Sequence, residues 1–340
     1  VNRVRATTLE DVARAAGVSR ATVSLALAGT GRISDETRRR VRTIAAELEY
    51  TVNVGARNLR RARAGALGLY LPDSTNGLAY YMDFIFGVVD TAAASGQSVT
   101  IVAGAAAGDR ARAHVDGYIL IDPPDDDPVV RRILEGRLPV VSGEDAPHDL
   151  PAPWGTVYSD HRLGMSALMD HLARRGSRSP ALIAPSDGTV WGRDVRDAYL
   201  DWCGRNRVEP VMRQSPHRFM PDDVRRVATE LLSAADRPDA IISAPDGSAV
   251  GAVSAARALG LRVGSEVLVT AYADSLAMQM CDPPVTAIDL RAREFGTRCA
   301  ALLLSALDDD GDGGDDDRMR REEFSIELRV RQSTAGSAAA

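Results

Sequence analysis

From Leu9 to Leu48, apolar side chains return every three or four positions. The sets are Leu9, Val12, Ala13 and Ala16, then Val23, Ala26 and Leu27, then Val41, Ile44, Ala45 and Leu48. That period puts each set on one face of a helix. The residues between the sets punctuate them. Thr8, with Asp11 three positions on, has the form of a capping box, and Gly17 ends the first run. Ser19 caps a second helix from Arg20 to about Ala28. Ser34 caps a third, with Asp35 and Glu36 set against its dipole. Two short helices joined by a Gly-containing turn and braced by a third make a helix-turn-helix unit.

From residue 66 the pattern alternates between short apolar runs and helical spacing. "ALGLYLP", "SVTIVAG", "VDGYILID" and "LPVVSG" read as buried strands, with a helix from Tyr81 to Ala94. A second series follows with helices His161–Arg174, Arg193–Arg205, Asp222–Ala234 and Ser248–Leu259. Strands "PALIAP", "EPVMRQS", "DAIISAP" and "EVLVTAYA" lie among them, and "REEFSIELRV" reads as the last strand. Strands separated by helices predict parallel sheets covered on both faces, and two series predict two lobes. Ligands in such folds bind in the crevice at the carboxyl ends of the strands. Only about ten residues separate "IVAG" from "HVDGYILI", so that lobe is expected to lack part of a covering helix.

Charge sharpens this picture. Residues 1–65 hold 13 arginines and 6 acids, a local net of +7, while the chain as a whole carries −6. A basic head on an acidic body suits a segment that meets a polyanion. All 41 basic residues are arginine, which excludes a phosphate loop ending in Lys and a Schiff-base lysine. Cys203, Cys281 and Cys299 are far apart and read as reduced structural thiols. No nucleophile–base pair or metal-spaced cluster stands out, so an enzyme and a bound cofactor are not expected. Asp308, Asp310, Asp312 and Gly313 imitate the start of a calcium loop, but its twelfth position falls on Met319, and a solvated loop is expected. No apolar run is long enough to cross a bilayer, and the first residues lack a signal-peptide core. A cytoplasmic protein is expected.

The stretch "TTLEDVARAAGVSRATVSLALAGTGRISDETRRRVRTIAAELEYTVNVGARNLR" resembles the DNA-binding headpiece of the LacI/GalR family of bacterial repressors, most distinctively in "DVARAAGVSRATVS". The likeness continues through "LGLYLPDSTN" and "DPPVTAIDL" to "ELRVRQSTAG". It implies an α/β chain: an all-α helix-turn-helix headpiece, then a two-lobed, periplasmic-binding-protein-like body with parallel sheets. The expected boundaries are 1–51 for the headpiece and 52–65 for a hinge helix and linker. Residues 66–157 with 288–320 form one lobe, 158–287 with 321–334 the other, and 335–340 a disordered tail. In this reading the chain crosses three times between lobes. It is expected to act as a homodimer on double-stranded operator DNA and to answer to a small-molecule effector, sugar-like or less hydroxylated, with no membrane involved; the alternatives are a DNA-binding regulator with a degenerate effector site and a solute-binding module.

On that resemblance Arg20, Ala21 and Leu25 enter the major groove. Leu25 stands where the family usually has arginine, and Ala28 where it usually has asparagine. Only Arg20 of the three can fork onto guanine; Ala21 and Leu25 offer apolar contact to a thymine methyl. Thr8, Ser19, Thr22 and Ser24 are expected on the phosphate side. Asn53, Ala56, Arg57 and Leu59 fall in the hinge, with Leu59 matching the family's minor-groove wedge. In the cleft, Val195, Pro245 and Ala273 replace the family's usual polar clamps. Asp73, Tyr80, Tyr81, Trp191, Arg193, Arg196, Asp246 and Asp274 remain as candidate effector contacts.

Overall fold

The computed structural model describes residues 7–50, 63–72, 79–103, 114–185, 188–214, 221–308 and 320–335. The chain divides into two units, Val1–Ala64 and Gly65–Ala340.

The first unit contains helices α1 (Leu9–Ala16), α2 (Arg20–Ala28) and α3 (Asp35–Glu47). Each begins at the cap that its sequence signals. The Thr8 side chain accepts from the Asp11 N–H, and the Asp11 carboxylate accepts from the Thr8 N–H, so two donors that a helix start leaves unpaired are satisfied reciprocally. Ser19 and Ser34 accept from Thr22 and Thr37 in the same way. Gly17 and Gly29 close α1 and α2 in the left-handed conformation that glycine adopts without steric cost. The core is made of small side chains: Val12, Ala13, Ala16, Val23, Ala26, Val41 and Ala45.

The second unit holds two six-stranded sheets. β1 (Ala66–Leu71), β2 (Ser98–Ala103), β3 (Gly117–Ile121), β4 (Val140–Gly143), β5 (Gly155–Tyr158) and β11 (Arg320–Glu323) form the first, in the order β11-β5-β4-β3-β1-β2. β6 (Pro180–Ala184), β7 (Val211–Gln214), β8 (Ala240–Ser243), β9 (Leu268–Ala271), β10 (Thr286–Asp289) and β12 (Glu327–Arg329) form the second, in the order β12-β10-β9-β8-β6-β7. The two orders match position for position. In each, the first strand of the series is flanked by the second and third, the switch point that opens a crevice at the strand ends.

Two expectations are corrected here. "REEFSIELRV" is two strands: β11 runs parallel to β5 in the first sheet, and β12 runs antiparallel to β10 in the second. The first sheet is wholly parallel as expected, and the second is parallel except for β12. The reason is directional: β11 and β10 both run towards the crossing, so a chain that leaves the first lobe along β11 enters the second against β10. The strands that lead into the crossings, β5, β10 and β11, end at Tyr158, Asp289 and Glu323.

Helices cover the sheets. α4 (Ala79–Ala94) and α11 (Ala292–Asp308) lie on one face of the first sheet, where Phe84, Val88, Phe295 and Leu303 join Leu69 and Ile119 in one core. α5 (Pro128–Leu134) lies on the other face, with Val130 and Ile133 against Tyr70 and Leu120. The second lobe carries α6 (His161–Arg174) and α7 (Val190–Asn206) on one face. The other face holds α8 (Pro221–Leu232), α9 (Ala249–Ala258) and α10 (Leu276–Met280). α12 (Gln332–Ala335) closes the described chain.

The sequence pattern did not single out α5, α10, α11, α12, β5 or β10. For α11 the signal was present, since Phe295, Cys299, Leu302 and Leu303 recur at helical spacing. α4 and α11 touch backbone to backbone. A Cβ on Gly87 would sit 2.0 Å from the Arg293 carbonyl oxygen, and one on Gly296 would sit 2.2 Å from that of Phe84. The segment expected to lack a covering helix, and most of the aspartate-rich run, lie outside the described residues. Among the described residues no helix is long and apolar enough to cross a membrane.

Candidate DNA-facing helix and interlobe cleft

The register of α2 decides which side chains it can offer. Val23 and Ala26 are wholly buried and Leu27 half-buried, so the opposite face turns outward. Arg20 and Ala21 are exposed there, at the first turn. Arg20 Nη1 lies 3.4 Å from Glu10 Oε2, an exposed pair that water screens strongly. Leu25, one turn on, is 41% exposed, large for a leucine on a short, well-capped helix. It leans on the turn after the helix: a methyl carbon comes within 3.2 Å of where a Gly31 Cβ would stand. Thr22 and Ser24 are half-buried; Ser19 and Thr8 are exposed. Ser19 Oγ and Thr22 Oγ1 lie 2.9 Å apart, and Thr8 Oγ1 donates to Asp11 at 2.6 Å, so these hydroxyls serve the caps. Asn53, Ala56, Arg57, Leu59 and the side chain of Ala28 lie outside the described residues.

The second site grows from the strand ends. Asp122 follows β3 and Glu144 follows β4, with φ of 43° and 72°. Non-glycine residues in this left-handed region are uncommon, and such conformations gather at functional sites. Both acids are buried. The Tyr81 hydroxyl donates to Asp122 Oδ2 at 2.8 Å, and the Ser159 N–H donates to Glu144 Oε2 at 3.1 Å. Glu144 Oε1 faces His161 Nε2 of the second lobe at 3.2 Å. The Tyr272 hydroxyl donates to the His161 carbonyl at 3.1 Å, leaving its oxygen to accept from His161 Nδ1 at 2.9 Å. Nε2 must then carry the second proton for its contact with Glu144 to attract. Trp191 stacks on Tyr272, with centroids 6.5 Å apart and planes 15° apart, and lies 6.0 Å from the His161 ring.

Further contacts hold the lobes together. Arg193 on α7 pairs with Asp125 of the first lobe, whose N–H also donates to the Gly188 carbonyl at 3.0 Å. The Tyr80 N–H donates to Asp246 Oδ2 at 3.0 Å.

The electrostatics follow from burial and crowding. Burial, with Glu144 nearby, pushes the Asp122 carboxyl up to about 7, against the hydrogen bond from Tyr81. Burial opposes a charge on His161, but Glu144, Asp122 and Asp194 outweigh it and raise the imidazole above its ordinary value. Burial raises Asp246, opposed by backbone N–H groups, and raises Asp194 as well. Tyr80, Tyr81 and Tyr272 are held well above ordinary phenol values, first by burial and then by these acids.

Of the eight candidate effector residues, Asp73 lies outside the described residues. Tyr80, Tyr81, Trp191, Arg193 and Asp246 come together around the buried acids. Arg196 lies on α7, half-buried and already engaged. Asp274 is drawn away: Arg331 grips both its oxygens from the far end of the chain. Asp274 also borders a hollow of about 330 Å³ with Tyr80, Asp83, Leu276, Arg291 and Glu294. That volume suits a small ligand. Its acids are mostly spent, since Asp289 pairs with Arg329 and Glu294 with Arg291. The buried cluster is therefore the better-equipped site. Sequence reasoning missed Asp122, Glu144, Asp125, His161 and Tyr272. The available signal was an acid directly after each of two apolar strands, "GYILID" and "VVSGE".

The comparisons with known proteins agree with this division. Residues 8–53 match the model described as bacterial regulatory proteins, lacI family, and residues 169–334 match a periplasmic binding protein-like domain. The chain is 30% identical over 322 residues to the HTH-type transcriptional regulator CelR of Thermobifida fusca, covering 90% of this chain and 94% of that one. It is 28% identical over 320 residues to the HTH-type transcriptional repressor CytR of Escherichia coli K12, covering 89% and 90%. A CelR–cellobiose complex superposes with a TM-score of 0.70 at 27% identity, covering 96% of this chain and 99% of that one. A lac repressor dimer bound to operator and the anti-inducer ONPF gives a TM-score of 0.80 at 24% identity, covering 97% and 99%, a likeness of fold.

Proposed function

This chain belongs to the LacI family of bacterial regulatory proteins and is an HTH-type transcriptional regulator; we propose that it represses as a homodimer whose hold on a pseudo-palindromic operator is set by a small molecule between its lobes. The observation that carries this reading is the pair of sites on one chain: an outward-facing arginine at the start of a capped second helix, and a cleft of unusual buried groups. Arg20 reads guanine, and Ala21 and Leu25 meet thymine methyls. Thr8, Ser19, Thr22 and Ser24 face phosphates, and Asn53, Ala56, Arg57 and Leu59 act at the centre of the operator. Tyr80, Tyr81, Trp191, Arg193, Arg196 and Asp246 belong to the effector cleft, Asp73 is a further candidate contact, and Asp274 serves the cleft through its bond to Arg331.

A two-fold dimer is supported by the apolar stripe Met82, Phe86 and Val89 on α4, together with Leu276 and Met280, all exposed on the body. Apolar patches of this kind mark contact surfaces.

The test is selection of bound DNA from a random pool with the full chain. Two inverted half-sites should emerge, each with one strongly specified G·C pair beside a softer A·T preference. Arg20→Ala should cost about 1–3 kcal/mol per half-site and relax that G·C position. Leu25→Arg should turn the neighbouring preference towards guanine. An unchanged motif with Leu25→Arg would remove Leu25 from the bases, and failure to select any motif would remove the reading itself.

A further inference from the structure

The cleft has more buried acid than buried cation. Asp122 and Glu144 enter from the first lobe and Asp246 from the second, with the half-buried Asp194 nearby. Against them stands His161, already facing Glu144. Neither Arg193 nor Arg196 is free to neutralise more, because Arg193 is held by Asp125 and Arg196 has its own partners.

Beside His161 Nε2, which faces Glu144, two further buried polar atoms in this region find no hydrogen-bond partner. They are Asp246 Oδ1, on a residue more than nine-tenths buried, and Trp191 Nε1. Leaving such atoms unpaired is costly, so each marks a place for a ligand group. Asp246 offers an acceptor and Trp191 a donor. Beside the acids Trp191 offers a partly exposed ring, backed by the buried ring of Tyr272, and an aromatic face also attracts cations. The left-handed backbone at Asp122 and Glu144 adds an independent sign, since the fold spends strain to aim two carboxyls at one place.

On the reading proposed above, we infer that the ligand of the cleft is an organic cation: a ring-bearing primary amine with an oxygen acceptor. Its ammonium lies among the carboxylates of Asp122, Glu144 and Asp246, and its ring lies on Trp191. Its oxygen accepts from Trp191 Nε1. An anion is repelled by the same acids, and a neutral polyol leaves their charge unanswered. The free cleft meets the demand for positive charge with a proton, because burial and Glu144 keep Asp122 protonated up to about pH 7. An arriving ammonium displaces that proton. The groups that tune this step are Tyr81 and Tyr80 on α4, His161 on α6, Asp194 on α7 and Cys299 on α11, with Tyr272 after β9.

The test is calorimetry on the full chain at pH 7 with two matched sets. Glucosamine is set against glucose and glucuronate, and tyramine against 4-hydroxyphenylethanol. At least one amine should bind tenfold or more tightly than its neutral counterpart. Asp122→Asn and Glu144→Gln should each weaken it about tenfold, in the range of a lost charged hydrogen bond. Asp246→Asn provides a third variant should either of these fail to fold. Repeating the titration in buffers of different ionisation heat should show proton release with the parent chain and none with Asp122→Asn. Equal binding of amine and neutral partner, preference for glucuronate, or no binding by either amine overturns the inference. Operator selection is run on the same preparation. A selected operator with inert amines removes the ligand class alone; no selected operator removes the regulator reading, whatever the amines do.

Discussion

The two lobes are built on one strand order, yet they bring different chemistry to the cleft between them. The first lobe ends β3 and β4 in Asp122 and Glu144, both buried and both in left-handed backbone. The second follows its corresponding strands, β8 and β9, with Ala244 and Tyr272, and supplies the rings of Trp191 and His161 from helix starts. One lobe brings two carboxyls from its strand ends; the other brings rings together with the single buried acid Asp246. A shared topology fixes where a site can stand, and the residues just past the strand ends decide what it can hold.

The packing differs too, and this yields the largest predicted effect. In the first lobe Gly296 meets the Phe84 carbonyl oxygen, rigid backbone at 2.2 Å. In the second, Gly164 meets the Ile326 side chain at 2.5 Å, a flexible neighbour that can move aside. Gly296→Ala should therefore destabilise the body by about 3 kcal/mol or more, and Gly164→Ala by about 1 kcal/mol. Urea denaturation followed by tryptophan fluorescence checks the order; equal costs would erase the distinction.

Next is the contact that spans the lobes at Glu144 and His161. Both side chains are buried, so removing one partner strands the other. His161→Ala should cost about 2–3 kcal/mol, and Glu144→Gln somewhat less because the amide still bonds the Ser159 N–H through its oxygen. A double-mutant cycle with coupling near zero would show that the lobes meet without this pair.

A smaller effect concerns pH. Asp122 in the folded protein keeps a proton up to about 7 that the unfolded chain releases near 4. Stability from this group is full below pH 4 and is lost as pH rises through 7. His161 is raised also, and its contribution is likewise lost as pH rises through its raised value. The signs agree, so the melting temperature should fall by a few degrees between pH 6 and pH 8, and Asp122→Asn should flatten most of that slope. A rise over the same range would contradict both assignments. Least of all, Arg193→Ala should cost under about 1 kcal/mol, because that pair is about one-third exposed and screened.

Local rules were enough for the headpiece. Thr8 with Asp11, Ser19 with Thr22 and Ser34 with Thr37 are separated by three residues, and helical spacing over forty residues places its core. The alternation of strand and helix from Ala66 onward likewise predicted two lobes with mostly parallel sheets. The same rules could not pair residues across the chain. Tyr81 meets Asp122 over 41 positions, Tyr272 meets His161 over 111, and Tyr80 meets Asp246 over 166. Asp274, a candidate effector contact, is bonded by Arg331, 57 residues later. Caps and helical faces are set by neighbours within a few bonds, so spacing alone determines them. Which acid finds a tyrosine, an arginine or no partner depends on strand order and on where the chain changes lobes, and only the assembled sheets decide that.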